Sequence, residues 1–253
     1  MTSEQAGRVR QAGHDDAKEF AKLIGLQEDY QNDLQAKKDV VDLSGDAHSV
    51  KSGKKKWQIF LYSKSRFEND IVFRRLNGLG ELLLNCLGVF PEKREIYLEN
   101  KHLYKQKLES QMVKLKEVLQ KKETLCAFLW KSFFNAGEVA YLTIKQNNEF
   151  HIFKSDEVVE LLTDNIKVIN SRGNQKVVFK VENKNPKSKK TFPYVSIGEI
   201  EMRNDSDVHY REIKFWIFKV KTFDLLAKST KTKTTPKKGL NIYGTAIKTF
   251  RRY

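Results

Sequence analysis

Hydrophobic and polar positions follow a helical period over the first half of the chain and a strand period over much of the second, with the change near residue 137. From His14 to Leu26, Phe20, Leu23 and Ile24 share one helical face with Glu19 beside it. Asp15 and Asp16 suit the first turn and Gly25 stands near the end, so a helix is predicted over 14–26. A second short helix is predicted over 28–37. Asp39-Val40-Val41 and Ser49-Val50-Lys51 read as two strands joined as a hairpin through Ser44-Gly45-Asp46. Lys56 to Tyr62, rich in aromatic and β-branched residues, predicts another strand. Ile71, Leu76, Leu79, Leu83 and Leu87 predict a helix over 65–87, ended by Gly88 and Pro91. Leu103, Leu108, Met112, Leu115, Leu119, Cys126 and Leu129 predict a long helix over 101–134, packed on one side with a solvated basic face.

Beyond Gly137, residues 139–144 and 149–154 alternate as strands around an Asn147-Asn148 turn. Ser155 caps a short helix to Leu162. Strands are expected over 166–170, 176–182, 195–203 and 209–220. Residues 183–191 form a basic loop, and residues 225–253 hold eight Lys or Arg and no acid, which reads as a basic tail. No internal repeat is visible.

Composition narrows the classes. Forty per cent hydrophobic residues among 253 support a packed core rather than global disorder. The 47 basic residues against 32 acidic ones leave a net charge of +15, which favours a polyanionic partner. No signal peptide or apolar run of spanning length is seen, so no membrane association is expected. The two cysteines, Cys86 and Cys126, sit in apolar helical contexts and read as buried thiols of a reducing, cytoplasmic compartment. Cys/His metal spacing, a Ser/His/Asp arrangement and a Gly-rich phosphate loop are all missing from the pattern.

The hairpin is where chemistry is expected. Ser49 and Lys51 are two apart and point to one strand face, while Val50 points to the core and His48, one step out of phase, reads as structural. Asp39 on the neighbouring strand would lie beside them. A carboxylate and an ammonium on one sheet face could hold a hard divalent cation and an attacking water. Asp42 and Asp46 compete with Asp39 as ligand, although Asp42, three residues along, should face away. The bland alternative is a hairpin with surface charges.

A helix with Glu19, a strand with Asp39, a strand with Ser49-Val50-Lys51, then a strand and a helix resembles the PD-(D/E)XK nucleases, and type II restriction endonucleases in particular. The resemblance covers roughly residues 14–90. It implies an α/β fold, a restriction endonuclease-like core with a central mixed sheet flanked by helices. It also implies Mg²⁺ as cofactor, Asp39 as ligand, Lys51 as the catalytic lysine and Glu19 as the helix glutamate. Two positions depart from the family pattern: Lys38 stands where a proline precedes the aspartate, and Ser49 stands at the acidic position. Some similar enzymes bring the missing carboxylate from the following helix, which makes Glu68 the position to test. Gln58, seven residues after Lys51, matches a glutamine that often faces the site. On this reading residues 1–136 form the nuclease core and 137–253 a β-rich DNA-recognition lobe with a basic tail. The expected activity is sequence-specific hydrolysis of double-stranded DNA, with a homodimer suited to two cuts in a symmetric duplex. The alternatives are a non-catalytic basic nucleic-acid-binding protein and a metal-independent, glycosylase-type enzyme.

A rival D…ExK pattern lies downstream at Asp205, Asp207 and Glu212-Ile213-Lys214, with strands rather than helices around it. Arg172 and Asn174, on an expected hairpin turn, and Arg203 and Asn204 are candidate base readers, because Arg suits guanine and Asn suits adenine. Lys187, Lys189 and Lys190 in the basic loop, and the tail lysines, would neutralise phosphates without reading sequence. The aromatics among them (Phe192, Tyr194, Tyr243, Phe250 and Tyr253) read chiefly as anchors.

Overall fold

The computed structural model describes residues 3–26, 39–53, 55–183 and 193–250. The helix expected over 28–37, the loop lysines Lys187, Lys189 and Lys190, and the last three residues lie outside the described residues. In chain order the elements are α1 (Ser3–Leu23), β1 (Val40–Val41), β2 (Ala47–Lys51), β3 (Lys56–Ser63), α2 (Lys64–Asn69), α3 (Ile71–Arg75), α4 (Leu79–Gly88), α5 (Arg94–Glu99), α6 (Lys101–Leu119) and α7 (Lys122–Phe134). They continue as β4 (Tyr141–Gln146), β5 (Glu149–Lys154), α8 (Ser155–Asn165), β6 (Lys167–Asn170), β7 (Lys176–Glu182), β8 (Tyr194–Asn204), β9 (Tyr210–Phe218), α9 (Lys219–Ser229), β10 (Lys233–Lys237), β11 (Leu240–Tyr243) and α10 (Ala246–Thr249). The fold is mixed α/β with two sheets. It divides into two compact units that interleave along the chain. The first holds Met1–Trp57, Leu129–Leu162 and Lys219–Tyr253, and the second holds Gln58–Phe128 and Thr163–Phe218. The change of pattern at residue 137 falls inside the first unit.

The first unit is built on a six-stranded mixed sheet in the order β1-β2-β4-β5-β11-β10. β2 runs parallel to β4 and β11 parallel to β5; the other pairings are antiparallel. The β4–β5 hairpin closes on Asn147 and Asn148, both with positive φ (52° and 60°), the backbone that a two-residue turn matched to strand twist requires. Ala17, Phe20 and Ala21 on α1 and Ile24 just past its end fall at i, i+3, i+4 and i+7, and all are buried. They pack with Val40, Val50, Tyr141, Phe150, Ile152, Leu240 and Ile242, which alternate onto one face of the sheet. The helix ends in a Schellman turn: Leu26 N–H bonds to the Ala21 carbonyl and Gly25 N–H to that of Lys22, with Gly25 at φ +86°.

The second unit holds a five-stranded sheet in the order β3-β9-β8-β7-β6. Phe60, Phe67, Phe73, Phe128, Phe179 and Phe215 are buried as a contiguous aromatic cluster on its helix-covered face. Such rings bury large apolar areas and favour edge-to-face contacts.

Several expectations on element limits are corrected. The helix expected over 65–87 is three helices. Asp70 leaves helical geometry and its carboxylate caps α3, accepting from the N–H groups of Val72 and Phe73 at 3.1 and 3.2 Å. Asn77 and Gly78 then turn the chain through positive φ before α4. The helix expected over 101–134 breaks between Leu119 and Lys122, where the Gln120 side chain donates to the Val168 carbonyl of β6 at 2.9 Å. The last strand of the second sheet stops at Phe218, so Lys219 and Val220 open α9 instead. The basic tail is not a loose appendage: β10 and β11 complete the first sheet, and Tyr243 and Phe250 are buried, in keeping with anchoring. Cys86 is buried, and burial pushes its thiol up to about 12. Cys126, by contrast, is exposed.

Candidate active site

The β1–β2 hairpin forms with Val40 opposite His48 and Val41 opposite Ala47. Its loop closes because the Asp42 carboxylate accepts from the N–H groups of Ser44 (2.8 Å) and Asp46 (3.0 Å), and because Gly45 takes a positive φ of 85°. This register sets Asp39 across from Ser49. Asp39 N–H donates to the His48 carbonyl at 2.9 Å. Asp39 Oδ2 in turn accepts from Val50 N–H at 2.7 Å and from Ser49 Oγ at 3.4 Å, with Lys51 Nζ 3.6 Å away. Asp39, Ser49 and Lys51 therefore meet on one sheet face. Ser49 is fully buried, while the side chains of Asp39 and Lys51 are 37% and 21% exposed. The carboxylate is held by a short charge-assisted bond from the main chain of β2, which fixes its direction relative to the lysine.

His48 and Val50 take the opposite face, toward α1. His48 is wholly buried, with Nε2 3.4 Å from Asp42 Oδ2 and Nδ1 2.9 Å from Thr143 Oγ1. A carboxylate only accepts, so Nε2 carries the proton toward Asp42 and Thr143 donates to Nδ1, a neutral imidazole. Burial pushes the His48 pKa below its ordinary value, against the hydrogen bond to Asp42. Burial also acts to raise the Asp42 pKa. The hydrogen bonds from His48, Asp46 and Ser44 outweigh it, and the net shift is downward. Asp42 thus belongs to a structural network behind the sheet and not to the face of Asp39.

Glu19 does not join Asp39. It lies on α1, where Lys145 Nζ donates to its Oε2 and, at 2.7 Å, to Asp16 Oδ1. Lys145 pairs in register with Phe150, and its ammonium stands over that ring, on the α1 face. Burial pulls the Lys145 ammonium down, but the bonds to Asp16 and Glu19 prevail and raise it. Glu68 belongs to the second unit, on α2, and forms an i,i+4 ion pair with Lys64 at 3.6 Å. Gln58 is an exposed residue of β3.

A hard divalent cation takes oxygen donors and is commonly held through one or two carboxylates, with waters and substrate phosphate oxygens filling the shell. Asp39 offers one such carboxylate. Among the described residues no group of three His, Cys, Asp or Glu side chains gathers. Asp39 is thus the oxygen ligand that the hairpin presents beside Lys51.

The rival strand has a different environment. Glu212 Oε2 accepts from His209 Nδ1 at 2.8 Å, Arg203 is bidentate to Asp205 at 2.6 and 2.7 Å, and Arg94 bonds Asp207 at 2.9 Å. The hydrogen bond from Arg203 holds the Asp205 carboxyl below its usual range, against a smaller effect of burial. Asn204 Oδ1 accepts from Arg211 N–H at 3.0 Å. Two of the four candidate base readers, Arg203 and Asn204, are thus engaged within their own sheet. Arg172 and Asn174 are exposed on the β6–β7 turn, with Asn174 at φ +50°.

One residue near the hairpin was missed from the sequence. Lys219 is buried at the start of α9; its Nζ donates to the Gly53 carbonyl at 2.9 Å and its N–H to the Lys55 carbonyl at 3.0 Å. It is one lysine among many, and no local pattern distinguishes it. No protein-family model, curated protein or solved structure matches the chain.

Proposed function

We propose that this chain is a Mg²⁺-dependent endonuclease of the PD-(D/E)XK type, acting on double-stranded DNA in the manner of type II restriction enzymes. The observation that carries the reading is the meeting of Asp39, Ser49 and Lys51 on one face of an antiparallel hairpin, with Lys51 Nζ 3.6 Å from the carboxylate. The net charge of +15 supports a phosphate-rich substrate.

Asp39 would hold the metal, and its orientation is preset by Val50 N–H. When bound, Mg²⁺ polarises a phosphate oxygen and acidifies a water. Lys51 offers a compact positive charge and three donors to orient the attacking water and offset charge gathering on the phosphate. Ser49 keeps the Asp39 carboxylate in place through its hydroxyl, at the position where similar enzymes have a carboxylate. Glu68 and Gln58 belong to the second unit and carry no step of this reading. Arg172 and Asn174 are its exposed base readers, and a homodimer is its assembly.

The test is incubation of supercoiled plasmid with the full chain, with Mg²⁺ or EDTA, beside Lys51→Ala and Asp39→Ala. Discrete fragments that vanish with EDTA and with either substitution are expected. Binding without cleavage under every divalent metal tried would make the chain a non-catalytic binder, and breaks that persist in EDTA would make it a metal-independent enzyme.

A further inference from the structure

The turn that follows Lys51 is tied to a helix 166 residues further along the chain. α9 lies on the same side of the first sheet as Asp39, Ser49 and Lys51: its Phe223 ring stands 4.6 Å from that of His151, His151 pairs with Ile144, and Ile144 pairs with Lys51. At the head of α9, Lys219 makes two bonds to one turn, from its side chain to Gly53 and from its backbone to Lys55. A third bond, from Trp57 Nε1 to the Ser52 carbonyl at 2.8 Å, closes the turn on itself. Gly53 adopts φ +88°, a backbone that glycine takes without strain, and its carbonyl accepts the Lys219 bond there.

A lysine that is 7% exposed is a costly choice for a purely structural tie. The charges around it do not offset that cost, and its ammonium is held below the usual lysine value. Asp16, on α1, acts to raise the Lys219 ammonium. Lys145 opposes it, and burial, the strongest influence, pulls it down. The grip also acts where leverage on Lys51 is greatest, because Gly53 is two residues beyond it and just past the end of β2.

We propose that Lys219 is a positioning residue, whose buried side chain clasps the Ser52–Gly53 turn from α9 and so sets the Lys51 ammonium against Asp39. The proposal deepens the nuclease reading and rests on it for its kinetic half. The clasp itself is a statement about the turn and is measured separately. Lys51 lies on a two-stranded ribbon at the edge of the sheet, with β4 on one side only. Without the clasp the turn keeps the Trp57 bond, and Lys51 keeps its ladder to β4. Small misplacements of a catalytic group cost rate far more than affinity.

The experiment compares the full-length parent with Lys219→Met, Lys219→Gln and Lys219→Arg. Two readouts are taken: steady-state cleavage of a DNA substrate, and hydrogen exchange at the amides of 51–57. Lys219→Met is expected to lower kcat by roughly 10- to 100-fold with KM nearly unchanged. Exchange at the turn should quicken while the β4–β5 ladder keeps its protection. Lys219→Arg, which keeps a buried donor, should recover most of the rate. If Lys219→Met does not fold, Lys219→Gln carries the comparison. Unchanged exchange at the turn, or an unchanged kcat with a quickened turn, overturns the proposal. A rate lost equally in Met and Arg variants, with protection lost across the whole sheet, also overturns it, because the role would then be general stability. If the parent cleaves nothing while the turn depends on Lys219, the clasp stands and the nuclease reading falls.

Discussion

β2 and β9 each carry a lysine two residues after a candidate metal-side residue, Ser49 and Glu212, and they sit in unlike surroundings. In the first unit, Ser49-Val50-Lys51 places a half-buried carboxylate and ammonium 3.6 Å apart, with the carboxylate directed by the main chain. In the second, Glu212-Ile213-Lys214 lies in a lattice of close pairs. Lys176 donates to Glu199 at 3.0 Å and to Glu201 at 2.6 Å, Trp216 Nε1 donates to Glu201 at 3.1 Å, and Arg203 holds Asp205. By residue type the second motif is the literal E-x-K, but its tight spacing from Asp207 and its surrounding strands already favour the hairpin in the sequence. The neighbours point the same way, because Glu199, Glu201 and Asp205 there already accept from Lys or Arg and Glu212 accepts from His209.

The largest expected effect separates the two motifs directly. Lys51→Ala should cut plasmid cleavage by about 10²- to 10³-fold, the scale for losing one charge-stabilising donor, while Lys214→Ala stays within about threefold. The reverse ranking in a parallel plasmid assay would move the active centre to the second sheet.

A smaller contrast concerns stability. Asp42→Ala leaves the wholly buried His48 without its acceptor and removes the loop bonds to Ser44 and Asp46. The expected loss is about 1–3 kcal/mol in urea unfolding. Glu199→Ala removes one bond from a lysine that retains Glu201, and should cost no more than about 1 kcal/mol. Equal losses would mean that the two sheets treat charge alike.

The smallest expected effect is a pH dependence. His48 and His151 are both pushed below the ordinary imidazole value of about 6.5, burial being the leading cause in each. As pH falls below that value the unfolded chain takes up protons that the folded first unit refuses, so stability declines on acidification. The lowered Asp42 carboxyl acts in the same direction further down, its contribution being lost as pH falls through its folded value. Thermal unfolding should therefore shift to lower temperature between pH 7 and pH 5, and replacing His48 with Gln should flatten that slope. A Tm that rises on acidification would place His48 as a charged partner of Asp42 instead.

Much of the local structure was legible because its causes are local. The 39–51 hairpin is specified by β-branched residues flanking a Ser-Gly-Asp turn, and the Asn147-Asn148 turn, the strands of the second sheet and the apolar stripe of α1 likewise lie within short windows. The breaks inside the expected long helices were hidden because apolar periodicity continues across Asp70 and Gln120. Only their side-chain bonds, one to the next helix's N–H groups and one to a distant strand, reveal the stops.

The sequence by itself determined the hairpin and the shared face of Asp39, Ser49 and Lys51, because a strand's side chains alternate and a tight turn sets its register. Tertiary structure alone decided that β2 lies parallel to β4 some 90 residues on, that the basic tail supplies two strands of the same sheet, and that Glu19 answers to Lys145 rather than to Asp39. Those are choices among many chemically similar partners. They are settled by which apolar faces can be buried together, a quantity that no short window of sequence contains.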